Sequence, residues 1–484
     1  MDMTQKFHRN TKESQGLAVL LTVIALPFLL IMAGLAIDSG RAYSMQAKLF
    51  SAVDAAAIAA ARAVAQGETA AEDAAQKYFD VNLSEALKTA SPILGTPVIT
   101  QVDDGSGGTG YISISLSATA NMPTAFIGLL GFDTWAVGAQ AEAIRRPVDI
   151  VLIVDNSGSL SDEADTVIAR SKSFVSNFSE SFDRVSIVKY ANGAEVPVPF
   201  SDSRGFTLTN GSNGVIDEID NFDISSGQYT NTAEGFYKGY SQISNVDTPA
   251  DLQVIVFFTD GTPTAMTAEV GYRTGSGSSA TDELVEGVLR ISGGSGAHGL
   301  WDPDKVYAQL DNSDGDYYEG GNIESKITMT STLGNSTGLN HGNVNLFEVD
   351  EVTPVKRSLT NFDGPSDDNS SILWGNIQQA SRNLPEQMAS TARSNNIFVF
   401  TLGLGDALQE ESGKDDDERG EYLLYRMAND PAMLTATFPG ESGTPLAADF
   451  DPDQKQGVYC FAETEDDLGP CFDKMLEVII RLTL

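Results

Sequence analysis

Val148-Asp-Ile-Val-Leu-Ile-Val154 runs without a break into Asp155-Asn-Ser-Gly-Ser159, and the fold is read outward from that junction. A run this apolar predicts a strand buried on both faces, ending in a polar turn. Residues 161–178 then carry a helical pattern, and Arg184-Val-Ser-Ile-Val-Lys-Tyr190 reads as the next strand. Leu252-Gln-Val-Ile-Val-Phe-Phe258 leads into Thr259-Asp260-Gly261, and Asn396-Ile-Phe-Val-Phe-Thr-Leu402 into Gly403-Leu-Gly405. Apolar strands separated by helical stretches predict an α/β fold, a doubly wound and mostly parallel sheet covered on both faces. Ligands of such sheets bind beyond the carboxyl ends of the strands, the edge where Asp155 and Asp260 fall. Gly457–Ala462 reads as a last short strand and Leu468–Leu482 as the terminal helix, so the domain is expected over 146–484.

Residues 265–369 interrupt it. They are rich in Gly, Ser, Asp and Asn and exceed an ordinary connection. Asp311-Asn-Ser-Asp-Gly-Asp316 suggests a calcium loop, but aligning Gly315 to the sixth position puts Leu310 at the first, where a carboxylate is needed. A surface loop with Asx turns is the expectation there, with a second cation site as the alternative. The insertion leaves near Asp260 and is expected to shape ligand choice.

Asp155-x-Ser157-x-Ser159 follows a strand, Thr230 precedes a helix, and Asp260 ends another strand. Together they resemble the metal-ion-dependent adhesion site (MIDAS) of von Willebrand factor A (VWA) domains, as in integrin I domains, which carry a Rossmann-like fold. That resemblance implies Ser157, Ser159 and Thr230 as hydroxyl ligands or near-ligands, with Asp155 and Asp260 acting directly or through water. Thr232 is the alternative to Thr230. The donor set suits a hard cation: Mg²⁺, or Mn²⁺ or Ca²⁺ in its place. Two carboxylates leave the ion under-neutralised and open to an acidic side chain offered by a protein partner. The competing reading is that Asp155 and the serines only cap the following helix.

At the other end of the chain, residues 16–37, GLAVLLTVIALPFLLIMAGLAI, are uncharged and apolar. A helix of that length reaches about 33 Å, enough to span a hydrocarbon core. Pro27 is tolerated more readily in such a helix than in a soluble one. Lys6, Arg9 and Lys12 precede the run and Asp38 follows it, which puts residues 1–15 in the cytoplasm and the rest outside. A cleaved signal peptide is the alternative, although its apolar region is shorter. Leu49, Val53, Ala56, Ala60 and Ala63 then recur on one helical stripe, predicting a stalk over 38–90. That stripe packs either on the protein's own next segment or on a partner helix.

Residues 16–61 resemble the start of TadG-like Flp pilus-assembly proteins: a basic patch, an apolar segment with proline ending Gly34-Leu-Ala36-Ile-Asp38, and an Ala-rich helix. The resemblance covers about the first 65 residues and implies a place beside the tight-adherence (Tad) pilus machinery. A processed prepilin would carry Glu five residues after its cleavage glycine, where Leu21 follows Gly16 here. Between stalk and main domain, 91–145 read as a small β-rich module. Pro97–Val102 and Tyr111–Leu116 form a hairpin around a Gly-rich turn, and Ala136–Ile144 adds a strand.

The chain has 484 residues and a net charge of −37, which disfavours nucleic acid as a partner. Cys460 and Cys471 are the only cysteines; outside the membrane they form one disulfide, or else remain two buried thiols. His8, His298 and His341 show no metal-type spacing. The expectation is a single-pass bacterial envelope protein, non-enzymatic, with its VWA domain periplasmic or extracellular and a role in pilus assembly, adhesion or biofilm formation. The alternatives are a metal-dependent enzyme or enzyme subunit, or a scaffold with a stabilising metal.

Overall fold

The computed structural model describes residues 12–102, 110–224, 229–274, 281–291, 297–311, 318, 321, 323, 326, 370–412 and 418–484. They divide into two units. One takes the described residues up to Val102, Tyr111–Arg145 and Leu484; the other takes Gly110 and Arg146–Thr483. Lys6 and Arg9, the turn over 103–109 and the acidic stretch 312–316 lie outside the described residues.

The first unit begins with α1, Lys12–Ala63, a single helix through Pro27. Its apolar side chains from Val19 to Met32 are exposed, whereas Gly34, Asp38, Ala42, Met45, Leu49, Val53, Ala56 and Ala60 are buried at spacings of three and four. This helix is long and apolar enough to cross a membrane. Short helices α2 (Glu68–Asn82) and α3 (Glu85–Lys88) follow. A sheet is built on β3 (Tyr111–Pro123), which pairs with β1 (Ile93–Leu94), β2 (Val98–Val102) and β4 (Thr134–Arg145), all antiparallel. Ile114, Leu116, Ala118, Ala120 and Met122 alternate along β3 and share one core with Leu49, Val53, Ala56 and Ala60. Stalk and β-rich module are therefore one packed body, and the small-residue stripe meets its own chain.

In the second unit β5 (Val148–Asp155) is buried throughout. After it come α4 (Ala164–Val175), β6 (Arg184–Tyr190), β7 (Ala194–Val198), α5 (Val215–Asp220), α6 (Thr232–Ser244) and β8 (Leu252–Thr259). The helix expected from 161 starts later, because Gly158–Ser161 first makes a tight 3-10 turn. Asp149 sits inside β5, buried. Arg204 lies 3.1 Å away and Arg184 3.8 Å away, and the Ala250 amide donates to it at 2.7 Å.

The insertion is structured where it begins, while the surface loop expected at 311–316 lies almost wholly outside the described residues. Its first part forms β9 (Ala265–Thr274), β10 (Thr281–Ile291) and β11 (Ala297–Trp301), an antiparallel sheet. Met266, Ala268, Val270 and Tyr272 alternate into the same core as Val151, Ile153, Phe236 and Phe257, so burial of a period-two apolar face overrides the Gly- and Ser-rich composition. The chain then returns through α7 (Ser370–Ser394), β12 (Phe398–Leu404), a hairpin of β13 (Glu411–Ser412) and β14 (Glu418–Arg419), α8 (Gly420–Ala428), β15 (Tyr459–Ala462) and α9 (Leu468–Thr483).

The main sheet runs β15-β12-β8-β5-β6-β7, parallel except for β7. Alternate residues of β5 face opposite layers. Val151 and Ile153 share a core with α6, α7 and α8, while Ile150, Leu152 and Val154 share one with α4, α5 and α9. Cys460 on β15 and Cys471 on α9 are bonded, with Cα atoms 5.6 Å apart.

Candidate metal site

Strand order decides which loops meet. From β5 the chain moves outward to β6 and β7, then crosses back to place β8 on the other side of β5. The crevice at the carboxyl ends of β5 and β8 is thus the point where the winding reverses, the usual ligand position of an open α/β sheet. Asp155 closes β5 and Asp260 follows β8 directly.

Asp155 is fully buried. Its Oδ1 accepts the Ser157 amide at 2.8 Å, folding the Asp-Asn-Ser turn back on the strand end. Its Oδ2 accepts the hydroxyls of Thr259 at 2.6 Å and Tyr190 at 3.2 Å. The motif did not reveal these two partners. The available signal was positional: Tyr190 ends the strand beside β5, in register with Asp155, and Thr259 is the last residue of β8.

The Ser157 and Ser159 hydroxyl oxygens stand 3.1 Å apart. Ser157 caps neither the 3-10 turn it precedes nor α4, whose flanking residue Glu163 also makes no side-chain cap. Helix capping therefore does not account for these serines. Ser159 bonds instead to the Asp260 carboxylate. Thr230 is held by Thr264, whose hydroxyl accepts the Thr230 amide at 3.0 Å and whose amide donates to the Thr230 carbonyl at 2.9 Å. A Cβ on Gly261 would lie 3.9 Å from the Thr230 hydroxyl, so this threonine borders Asp260-Gly261. Asn231 caps α6, accepting from the Glu234 amide, and Thr232 enters that helix as its first residue.

Electrostatics sharpen the picture. Burial raises the Asp155 carboxyl against the hydrogen bonds from Thr259, Ser157 and Tyr190. Burial also lifts Asp260 to about 7, with the Asp155 charge adding to the rise and Ser159 opposing it. One Asp260 oxygen, Oδ1, is buried without a hydrogen-bond partner. Among the described residues no ion pair involves Asp155 or Asp260. A buried and a half-buried carboxylate with an orphaned oxygen, bordered by the hydroxyls of Ser157, Ser159 and Thr230, fit a hard divalent cation. Among the described residues no cluster of three or more His, Cys, Asp or Glu could hold a metal, so a cation here would need hydroxyl and water oxygens besides the two aspartates.

Residues 149–277 match the von Willebrand factor type A domain family, and residues 16–63 match the Flp pilus-assembly TadE/G-like family. The chain thus joins a TadE/G-like segment to a VWA domain. The family match ends three residues past β9, while β12 and β15 complete the same sheet beyond the insertion. No curated protein matches the chain. Among solved structures, the pilus adhesin SpaC from Lactobacillus rhamnosus GG is similar at 14% identity, over 80% of this chain and 34% of that one, with a TM-score of 0.36. The vWF domain of the type V pili tip protein Mfa5 from Porphyromonas gingivalis is 13% identical over 71% of this chain and 98% of that one, at 0.33. The PilB minor pilin from Streptococcus sanguinis is 14% identical over 82% and 80%, at 0.34. This chain spans about a third of the length of SpaC.

Proposed function

We propose that this protein is a membrane-anchored envelope component that binds a protein partner through a divalent cation at the β5–β8 crevice, in Tad/Flp pilus assembly, adhesion or biofilm formation. One observation carries the reading: the buried Asp155 and the half-buried Asp260, whose Oδ1 is buried without a hydrogen-bond partner, stand beside the hydroxyls of Ser157, Ser159 and Thr230 with no basic partner among the described residues. The TadE/G-like segment supports the pilus setting, and the exposed apolar half of α1 supports anchorage. The basic N-terminus would stay in the cytoplasm, with the VWA domain periplasmic or extracellular.

Mg²⁺, or Mn²⁺ or Ca²⁺ in its place, would be held by Ser157, Ser159 and Thr230 through hydroxyl oxygens and by Asp155 and Asp260 directly or through water. When bound, such an ion supplies an electrophilic position for an acidic side chain of the partner. Thr259 and Tyr190 hold the Asp155 carboxylate in place through their hydrogen bonds. The test is calorimetric titration of Mg²⁺ and Mn²⁺ into the full chain in detergent micelles. Wild type should bind, and Asp155→Ala or Ser157→Ala should weaken binding at least about tenfold, the loss of one good ligand, with circular dichroism unchanged. Capture of pilus-system proteins should fail in EDTA and with Asp155→Ala. Capture that is equal with and without metal would refute the reading.

A further inference from the structure

Pro123-Thr-Ala-Phe-Ile-Gly-Leu-Leu-Gly-Phe-Asp133 joins β3 to β4 in the first unit. Its side chains face out of the fold: Leu129 is 86% exposed, Phe132 64%, Leu130 54% and Phe126 44%. An apolar loop this exposed needs an occupant.

The loop is not loose. The Thr124 hydroxyl donates to the Phe132 carbonyl at 2.6 Å, and the Thr124 amide to the Asp133 carbonyl at 3.1 Å. Ile127–Leu130 form a 3-10 turn ended by Gly131 at φ 90°, a left-handed conformation suited to glycine. Asp38 of α1 fixes the loop's level along the helix. Its carboxylate accepts the amides of Ala125, Phe126 and Ile127 at 2.9, 2.9 and 2.8 Å. One turn earlier, a Cβ on Gly34 would come within 2.5 Å of the Phe126 Cβ, so the glycine makes room for that side chain. Gly34 and Asp38 mark the end of the exposed apolar stretch of α1. The apolar surface of the loop is therefore continuous with the surface that would face lipid.

We propose that the 124–132 loop is a second membrane contact, seated in the interfacial layer of the bilayer beside the last membrane turn of α1. Its chemistry fits that layer. Two phenylalanines and two leucines provide the apolar face, and Asp133 is its only charged residue. Burial at the headgroup–acyl boundary needs only about 5–10 Å of penetration, which matches a loop tied to the last turn and not to mid-span. A contact at this level sets the rotation and tilt of α1 through a second anchor. The proposal rests on α1 spanning the membrane.

The test is a nitroxide label on variants of the full chain with one introduced cysteine, in phosphatidylcholine–phosphatidylglycerol liposomes. The two native cysteines are bonded to each other and leave the label specific. Collision with oxygen against a water-soluble nickel chelate is read at Leu129→Cys. Met32→Cys in α1 is the lipid reference and Val81→Cys, 78% exposed on α2, the aqueous one. Support requires position 129 to show the oxygen-dominated ratio of position 32. If position 32 is in lipid and position 129 matches position 81, the loop is free for a protein partner and the proposal is overturned while anchorage stands. If position 32 itself is aqueous, anchorage fails and the loop proposal fails with it.

Discussion

Asp260 carries a cost that the metal-free protein cannot escape. Its carboxyl is raised to about 7 by burial and then by the Asp155 charge, against 3.8 for a free aspartate. Between those values the folded state binds the extra proton, so unfolding free energy falls as pH rises. The stability is fully present below about pH 4 and is lost as pH climbs through 7, by up to about 4 kcal/mol for a shift of three units. In EDTA, the second unit should therefore melt at lower temperature at pH 8 than at pH 6. Asp260→Asn should flatten that slope and abolish the stabilisation that the proposed site would gain from Mg²⁺ at pH 8. Calorimetric scans at both pH values, with EDTA and with Mg²⁺, check both statements. The two aspartates and the two serines were legible in sequence because they directly follow apolar strands. Tyr190 and Thr259 were not, since their bonds to Asp155 depend on which strands lie beside β5.

Among the elements, the joint between α1 and the β3–β4 loop is the most exposed to a single change. The Asp38 carboxylate accepts the amides of Ala125, Phe126 and Ile127 together. Asp38→Ala removes the acceptor for three amides at once. Hydrogen–deuterium exchange of the full chain in micelles should show residues 125–127 losing protection at least about tenfold, the effect of 1.4 kcal/mol or more. Protection across β5 and β8 should not change. Unaltered exchange at 125–127 would mean that Asp38 does not hold the loop. The insertion teaches a related lesson. Met266, Ala268, Val270 and Tyr272 alternate plainly, but Gly and Ser around them mask a sheet that only its packing on α6 and α7 makes worthwhile.

On the scale of the whole molecule, a net charge of −37 spread along the chain means self-repulsion. Salt screens exposed charges over about 8–10 Å at 0.1–0.15 M. Raising NaCl from about 0.02 M to 0.5 M should therefore increase the melting temperature in EDTA, because repulsion between like charges outweighs the exposed ion pairs. A fall in melting temperature would show that attractive pairs, such as Lys172 with Asp220, dominate. The disulfide adds a tether independent of salt. Closing a separation of 11 residues between β15 and α9 contributes about 3 kcal/mol in the loop-entropy account.

By itself the sequence determined the α/β class, the apolar helix, the main strands and the acidic residues at two strand ends. Periodicity reports which faces are buried, and that is a local property. Only the tertiary structure decided that β8 lies against β5, so that Asp260 comes beside Asp155, and that Cys460 meets Cys471. It alone seated the 124–132 loop on Asp38 and merged the stalk with the β-rich module. The reason is physical: a parallel strand is equally apolar wherever it sits in the sheet, so its neighbours are set by helix packing and crossover connections that no local pattern records.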